Sequence, residues 1–254
     1  DEWPLKPDIT MEGGNTAVDQ VHGNVSMVED LMLLSTSNRP TSSSFVPSGQ
    51  TSAAAALASR VAATIQSTYP DYWPETVRAL MIHSAKWTPA MEADFPGSRK
   101  SAIKKRMRCY GYGAPSLERA LWCGKNSLCL IAQTELQPYE KEEDKGKIKT
   151  KDMHLYKLPW PVEELRSLGG MTVSMRATLS YFIEPNPGRK RYASTHRYAS
   201  HGLRFDVQQP TDTPDDFRKR MNSNARNEEE GKPPEGDSSA WALGPKLRTR
   251  GSIH

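Results

Sequence analysis

SGQTSAAAALASR, Ser48 to Arg60, sets two hydroxyl residues, Thr51 and Ser52, ahead of a run of alanines with no large side chain before Leu57. Two readings compete. In one, the small residues let a helix lie close against a sheet, and Thr51 and Ser52 simply cap its first turn. In the other, Ser52 is a nucleophile at a helix N-terminus, where backbone N–H groups can hold an oxyanion. In both, Ala54, Ala58 and Ala62 share one side while Leu57, Val61 and Ile65 recur beside them, so Thr51 to about Gln66 is expected to be a largely buried helix.

Working outward, LKPDITMEGG (Leu5 to Gly14) reads as a short buried strand ending in a Gly-Gly turn, with Ile9 and Met11 as its apolar positions. This strand should lie next to the helix. Residues 36–50 form a Ser, Thr, Asn, Pro and Gly cluster that reads as a loop. After the alanine-rich segment, Pro74-Glu75 suits the first turn of a second helix, with Val77, Leu80, Met81 and Ser84 facing inward. CYGYGAPSLERAL (Cys109 to Leu121) reads as a Gly-rich turn feeding a short helix from about Pro115.

The character then changes. NSLCLIAQTEL, MHLYKLPWP, MTVSMRATLSYFIEP and RYASHGLRFDV carry partial alternation, as in Val173, Met175, Ala177 and Leu179, and together suggest a β-rich, sandwich-like module. KEEDKGKIKTKD between them reads as an exposed connection, and residues 208–239 are too polar for a packed core and read as a flexible insertion. The expected division is 1–125 and 126–254.

With 254 residues, 36% apolar and 25% charged, the chain is long enough for one large or two medium domains. Mean hydropathy is −0.69. No apolar run approaches the ~20 residues needed to cross a bilayer, so no membrane partner is expected. A net charge of +4 lacks the concentrated basic face of a nucleic-acid binder, and none is expected to bind. RKSAIKKRMR (Arg99 to Arg108) and GRKRY (Gly188 to Tyr192) are locally basic and read as solvated faces, with contact to phosphates or an acidic partner as the alternative. Cys109, Cys123 and Cys129 lack metal-ligand company and read as reduced thiols, so neither a metal nor another cofactor is implied.

Four elements in order, LKPDI with its Gly turn, the polar loop, Thr51-Ser52 with the Ala-rich helix, and YPDYWPETVRALMIHSA, resemble the C-terminal half of a subtilisin-like serine peptidase domain (peptidase S8). YGYGAPSLERAL is similar to the turn and helix that close such domains. The resemblance spans about Leu5 to Leu121 and implies an α/β fold: half of a parallel-sheet domain, here followed by the β-rich module. It implies that Ser52 is the nucleophile, that its own N–H is one oxyanion donor, and that proteins or peptides are the substrate. LPWPVEELRSLGG and LSYFIEPNPG resemble the accessory region of large bacterial subtilases, and through them an AAA-type ATPase enters as a partner.

Subtilase order, Asp then His then Ser with an oxyanion Asn before the Ser, implies that these partners precede Asp1 in a longer protein and that residues 1–254 alone are inert. His22-Gly23-Asn24-Val25, near Asp19, is superficially similar to the stretch around a subtilase base but follows the KPDI strand, out of family order; a loop histidine is the better reading. His83 reads as a helix residue packed or half exposed. The family's Gly-Thr-Ser is Gln50-Thr51-Ser52 here, and the proline four residues after Ser is Ala56. A glycine before Thr-Ser would allow a close approach or a positive φ. A catalytically inactive subtilase scaffold kept for binding is therefore the alternative function, and a binder of nucleic acid or acidic partners through Arg99 to Arg108 is a second.

Overall fold

The computed structural model describes residues 6–125, 128–137, 139–141, 148–158, 160–182, 203, 205–208, 212–229, 241 and 243. The chain divides into two compact units, one of Leu5–Gly97 with Lys105–Lys125, the other of Asp1–Pro4, Ser98–Lys104 and Asn126–His254.

The first unit has two antiparallel hairpins followed by helices. Strands β1 (Thr16–Val18) and β2 (Val25–Met27) pair with Ala17 opposite Ser26, and β3 (Leu33–Thr36) and β4 (Phe45–Ser48) pair with Leu34 opposite Pro47. Helix α1 (Gln50–Thr68) follows β4 directly, and α2 (Pro74–Ser84), α3 (Pro89–Asp94), α4 (Lys100–Tyr110) and α5 (Leu117–Cys123) come after it; of α4, residues 105–110 belong to this unit and 100–104 to the other. Pro74 starts α2 because its missing N–H would be unpaired at a helix start in any case.

The core lies where α1, α2 and α5 meet. Val61 and Ile65 from α1, Val77, Leu80 and Met81 from α2, and Ala120 from α5 are buried there. Ile65 is fully enclosed, and burying such a side chain stabilises by about 1.5–3 kcal/mol. The link from α1 to α2 is tied by Gln66, whose Nε2 donates to the carbonyls of Pro70 and Tyr72 at 3.0 and 3.1 Å. Tyr69 reaches α5, donating its hydroxyl to the Leu121 carbonyl at 2.6 Å, and Gly124 leaves room for its ring.

Two glycines of the YGYG turn make the closing contacts. Gly111 (φ +55) and Gly113 (φ +96) take backbone conformations that side chains disfavour, and a Cβ on either would strike the carbonyls of Pro7 and Asp8, or of Lys86. That approach lets Tyr112 N–H donate to Asp8 O (2.9 Å), Thr10 N–H to Gly113 O (3.0 Å), and Lys86 pair with Ala114 in a two-bond bridge. Arg78 of α2 reaches Asp8 at 3.4 Å, and Lys6 holds the same carboxylate at 3.1 Å.

In the second unit β5 (Tyr139–Lys141) pairs antiparallel with β6 (Ile148–Thr150), and helices α6 (Val162–Ser167) and α7 (Pro214–Glu229) follow. A capping box starts α7: Thr213 Oγ1 donates to Asp216 Oδ2 (2.6 Å) and accepts the Asp216 N–H (3.2 Å). Arg220 on α7 is held by Asp206 at 2.9 Å and Asp212 at 2.5 Å.

Several expectations change. The fold is mixed α/β, but among the described residues every ladder is a two-stranded antiparallel hairpin, so neither the parallel sheet nor the sandwich is present there. Parallel strands need partners far along the chain, and among the described residues the backbone of 6–11, half-buried except at Pro7, bonds to the YGYG turn and has no strand beside it. Leu5 lies outside the described residues. Residues 128–137 and 171–182 form no ladder, because alternation marks a half-buried strand only where a neighbour accepts its N–H groups. The ladders form elsewhere: Lys141 and Ile148–Thr150 of KEEDKGKIKTKD lie in the paired β5 and β6, and the loop expected over residues 36–50 contains β4. Within the insertion expected at 208–239, α7 forms because its capping box and the Arg220 ion pairs replace apolar burial; residues 209–211 and 230–239 lie outside the described residues, as do GRKRY and most of RYASHGLRFDV.

The α1 helix forms as expected, yet its face is less covered. Only Val61 and Ile65 are buried, and Ala55, Ala56, Ser59 and Arg60 are exposed, because the packing partners α2 and α5 meet the C-terminal half of α1. The inward stripe of α2 is as read: Val77, Leu80, Met81 and Ser84 are all buried.

Candidate functional site

The turn from β4 into α1 is built from three tight contacts. Gly49 is extended (φ −148, ψ −163), and a Cβ there would come within 2.7 Å of Met32 Cε. Gln50 follows with φ +71, the only non-glycine residue at positive φ among those described. Its N–H donates to Gly13 O at 2.5 Å, and a Cβ on Gly13 would lie 2.8 Å from the Gln50 carbonyl oxygen. The Gly-Gly turn and the β4–α1 turn thus fit together only because one of them lacks side chains.

Ser52 lies two residues further, exposed, in the first turn of α1. The helix has no side-chain cap, and the N–H groups of Thr51 and Ser52 have no acceptor among the described residues. Free N–H groups and the positive end of the helix dipole favour negative charge at this place. The hydroxyls of α1 divide in two. Ser59, Thr64, Ser67 and Thr68 each donate to a carbonyl three or four residues earlier, at 2.8–3.0 Å. Thr51 and Ser52 make no such bond among the described residues.

His22 is not brought to Ser52 by any hydrogen bond or ion pair. It sits 72% exposed on the β1–β2 turn, its Nδ1 2.7 Å from Asp19 Oδ2. The Val21 N–H, and then the His22 ring, hold the Asp19 carboxyl below the usual carboxylate range. Asp19 also accepts from the turn backbone, so the pair closes a turn. His83 is half-buried on α2, one residue before the buried Ser84.

The basic run is helix α4, with Lys104, Lys105 and Arg108 exposed. Arg106, however, is buried: its Nη2 donates to Phe95 O at 2.6 Å, and its guanidinium lies 4.6 Å over the Trp87 ring. Its position beside Ile103 and Met107 on the apolar stripe is the sequence signal for that burial. Among the described residues no cluster of His, Cys, Asp or Glu could hold a metal, and no helix is long and apolar enough to cross a membrane.

Residues 1–113 match the family model described as Subtilase family, peptidase S8. The match supports a subtilisin-like S8 domain over this part of the chain, of the serine-protease class of hydrolases. The matched stretch contains the whole β4–α1 turn and ends at Gly113 of the closing turn. No curated protein and no solved structure gave a match.

Proposed function

We propose that this chain serves a subtilisin-type serine endopeptidase and that Ser52 is its nucleophile. The observation that carries the reading is an exposed seryl hydroxyl without a protein partner among the described residues, at an uncapped helix N-terminus within the S8 domain. Ser52 Oγ attacks a peptide carbonyl as a histidine accepts its proton, and an aspartate keeps that histidine in the correct tautomer. The oxyanion takes the Ser52 N–H and an asparagine amide, a donor of the kind worth about 2.7–4 kcal/mol in the transition state. The Asp, His and Asn come from sequence outside residues 1–254.

Fluorophosphonate labelling tests this on three samples: residues 1–254 alone, the complete gene product, and its Ser52→Ala variant. Labelling needs an activated hydroxyl with an oxyanion site, so the expected signal is confined to the unmutated complete product. Labelling of residues 1–254 alone at Ser52 would make His22 or another local group the base. A folded complete product that neither labels nor hydrolyses peptides would establish the inactive scaffold instead.

A further inference from the structure

From the backbone at Gln50 we infer that this residue is a positioning residue: its left-handed turn keeps the Ser52 hydroxyl away from carbonyl acceptors and available to a substrate. The inference rests on the Ser52 reading above and adds how the fold prepares that hydroxyl.

Serine and threonine hydroxyls on helices commonly fold back on the carbonyl three or four residues earlier. On α1 the four hydroxyls in the body of the helix do so. For Ser52 those carbonyls belong to Ser48 and Gly49, which precede the left-handed residue. The extended Gly49 already leaves the Ser48 carbonyl outside the helix, whereas a right-handed φ at residue 50 would carry the Gly49 carbonyl on along the helix. Entry at φ +71 turns that carbonyl out of line, and no bond to Ser52 Oγ forms among the described residues.

A left-handed backbone is strained for a non-glycine residue, and such strain persists only where the surroundings over-determine it. Here they do. The Gln50 N–H is fixed on Gly13 O, Gly13 and Gly49 lack space for side chains, and β4 holds Ser48 opposite Leu33. The strain sits two residues from the proposed nucleophile. The structure therefore gives Gln50 the backbone role for which a glycine is the unstrained choice.

The test compares fluorophosphonate labelling rates of the complete gene product with Gln50→Gly, Gln50→Asn and Gln50→Val, each checked for folding by circular dichroism and thermal unfolding. Glycine and asparagine accept a positive φ, whereas a β-branched valine resists it. Gln50→Gly and Gln50→Asn are expected to label at the unmutated rate or faster, with a higher unfolding temperature for glycine. Gln50→Val is expected to label more slowly, on the order of 100-fold, as a misplaced nucleophile does. A folded Gln50→Val labelling at the unmutated rate overturns the inference, as does a folded Gln50→Gly that loses labelling, since the side chain would then be the active part. If Gln50→Val does not fold, the glycine and asparagine variants decide alone. Failure of the unmutated protein to label would instead overturn the Ser52 reading itself.

Discussion

Arg78 Nη2 lies 3.4 Å from Asp8 Oδ2, joining the KPD segment to α2 across seventy positions of the chain. Both side chains are about four-fifths covered, at 18% and 22% exposure, and Lys6 shares the carboxylate. Covered ion pairs lose more than surface ones when one partner is removed. Asp8→Asn is expected to destabilise the protein by about 1–3 kcal/mol, read as a lower urea midpoint with an unchanged slope. A midpoint equal to that of the unmutated protein would show that the pair contributes nothing.

Ser52→Ala and Ile65→Ala, both on α1, should separate chemistry from stability. Ser52 is exposed and makes no bond among the described residues, and alanine is the better helix former, so stability should stay within about 0.5 kcal/mol while labelling of the complete product disappears. Ile65 is fully buried, and its truncation should cost about 2–5 kcal/mol. Thermal unfolding of the two variants side by side makes the comparison.

Gly113→Ala should be among the most damaging single-methyl additions. At φ +96 the new Cβ meets the Lys86 carbonyl, whose bond with Ala114 closes the turn. The expected loss is about 2–3 kcal/mol, with faster amide exchange at Ala114 and Lys86. Gly97→Ala is the control: its φ is also +96, yet a Cβ there would meet nothing within 4 Å. Equal losses in the two variants would assign the effect to backbone conformation alone.

The Thr213 hydroxyl, and then its N–H, hold the Asp216 carboxyl below the usual value for an aspartate. A carboxyl lowered on folding stabilises above its unfolded pKa, near ~4, and that contribution is lost as pH falls through the lower folded value. The α7 helix is therefore expected to fray in that acid window. A carboxyl-carbon NMR titration of Asp216 should show the lowered pKa, and Thr213→Ala should return it toward the ordinary value. An unshifted titration in the unmutated protein would contradict the capping geometry.

What could be read in the sequence was whatever depends on neighbours in the chain. The spacing of Val77, Leu80, Met81 and Ser84 gave the buried face of α2, and Pro74 its start, because helix periodicity and proline geometry act within one or two turns. Ser52 at the head of an alanine-rich helix was legible for the same reason, and so was the choice posed by Gln50 in place of a glycine. Tertiary contact settled that choice: Gln50 keeps the left-handed turn because Gly13, far back in the chain, accepts its N–H and leaves it space. Contact likewise decided that Arg106 is buried over Trp87, that α1 is fully buried only in its C-terminal half, and that the alternating segments after residue 126 form no ladder among the described residues. A strand or a buried charge exists only through its partner, and the partner's position is set by how the whole chain packs.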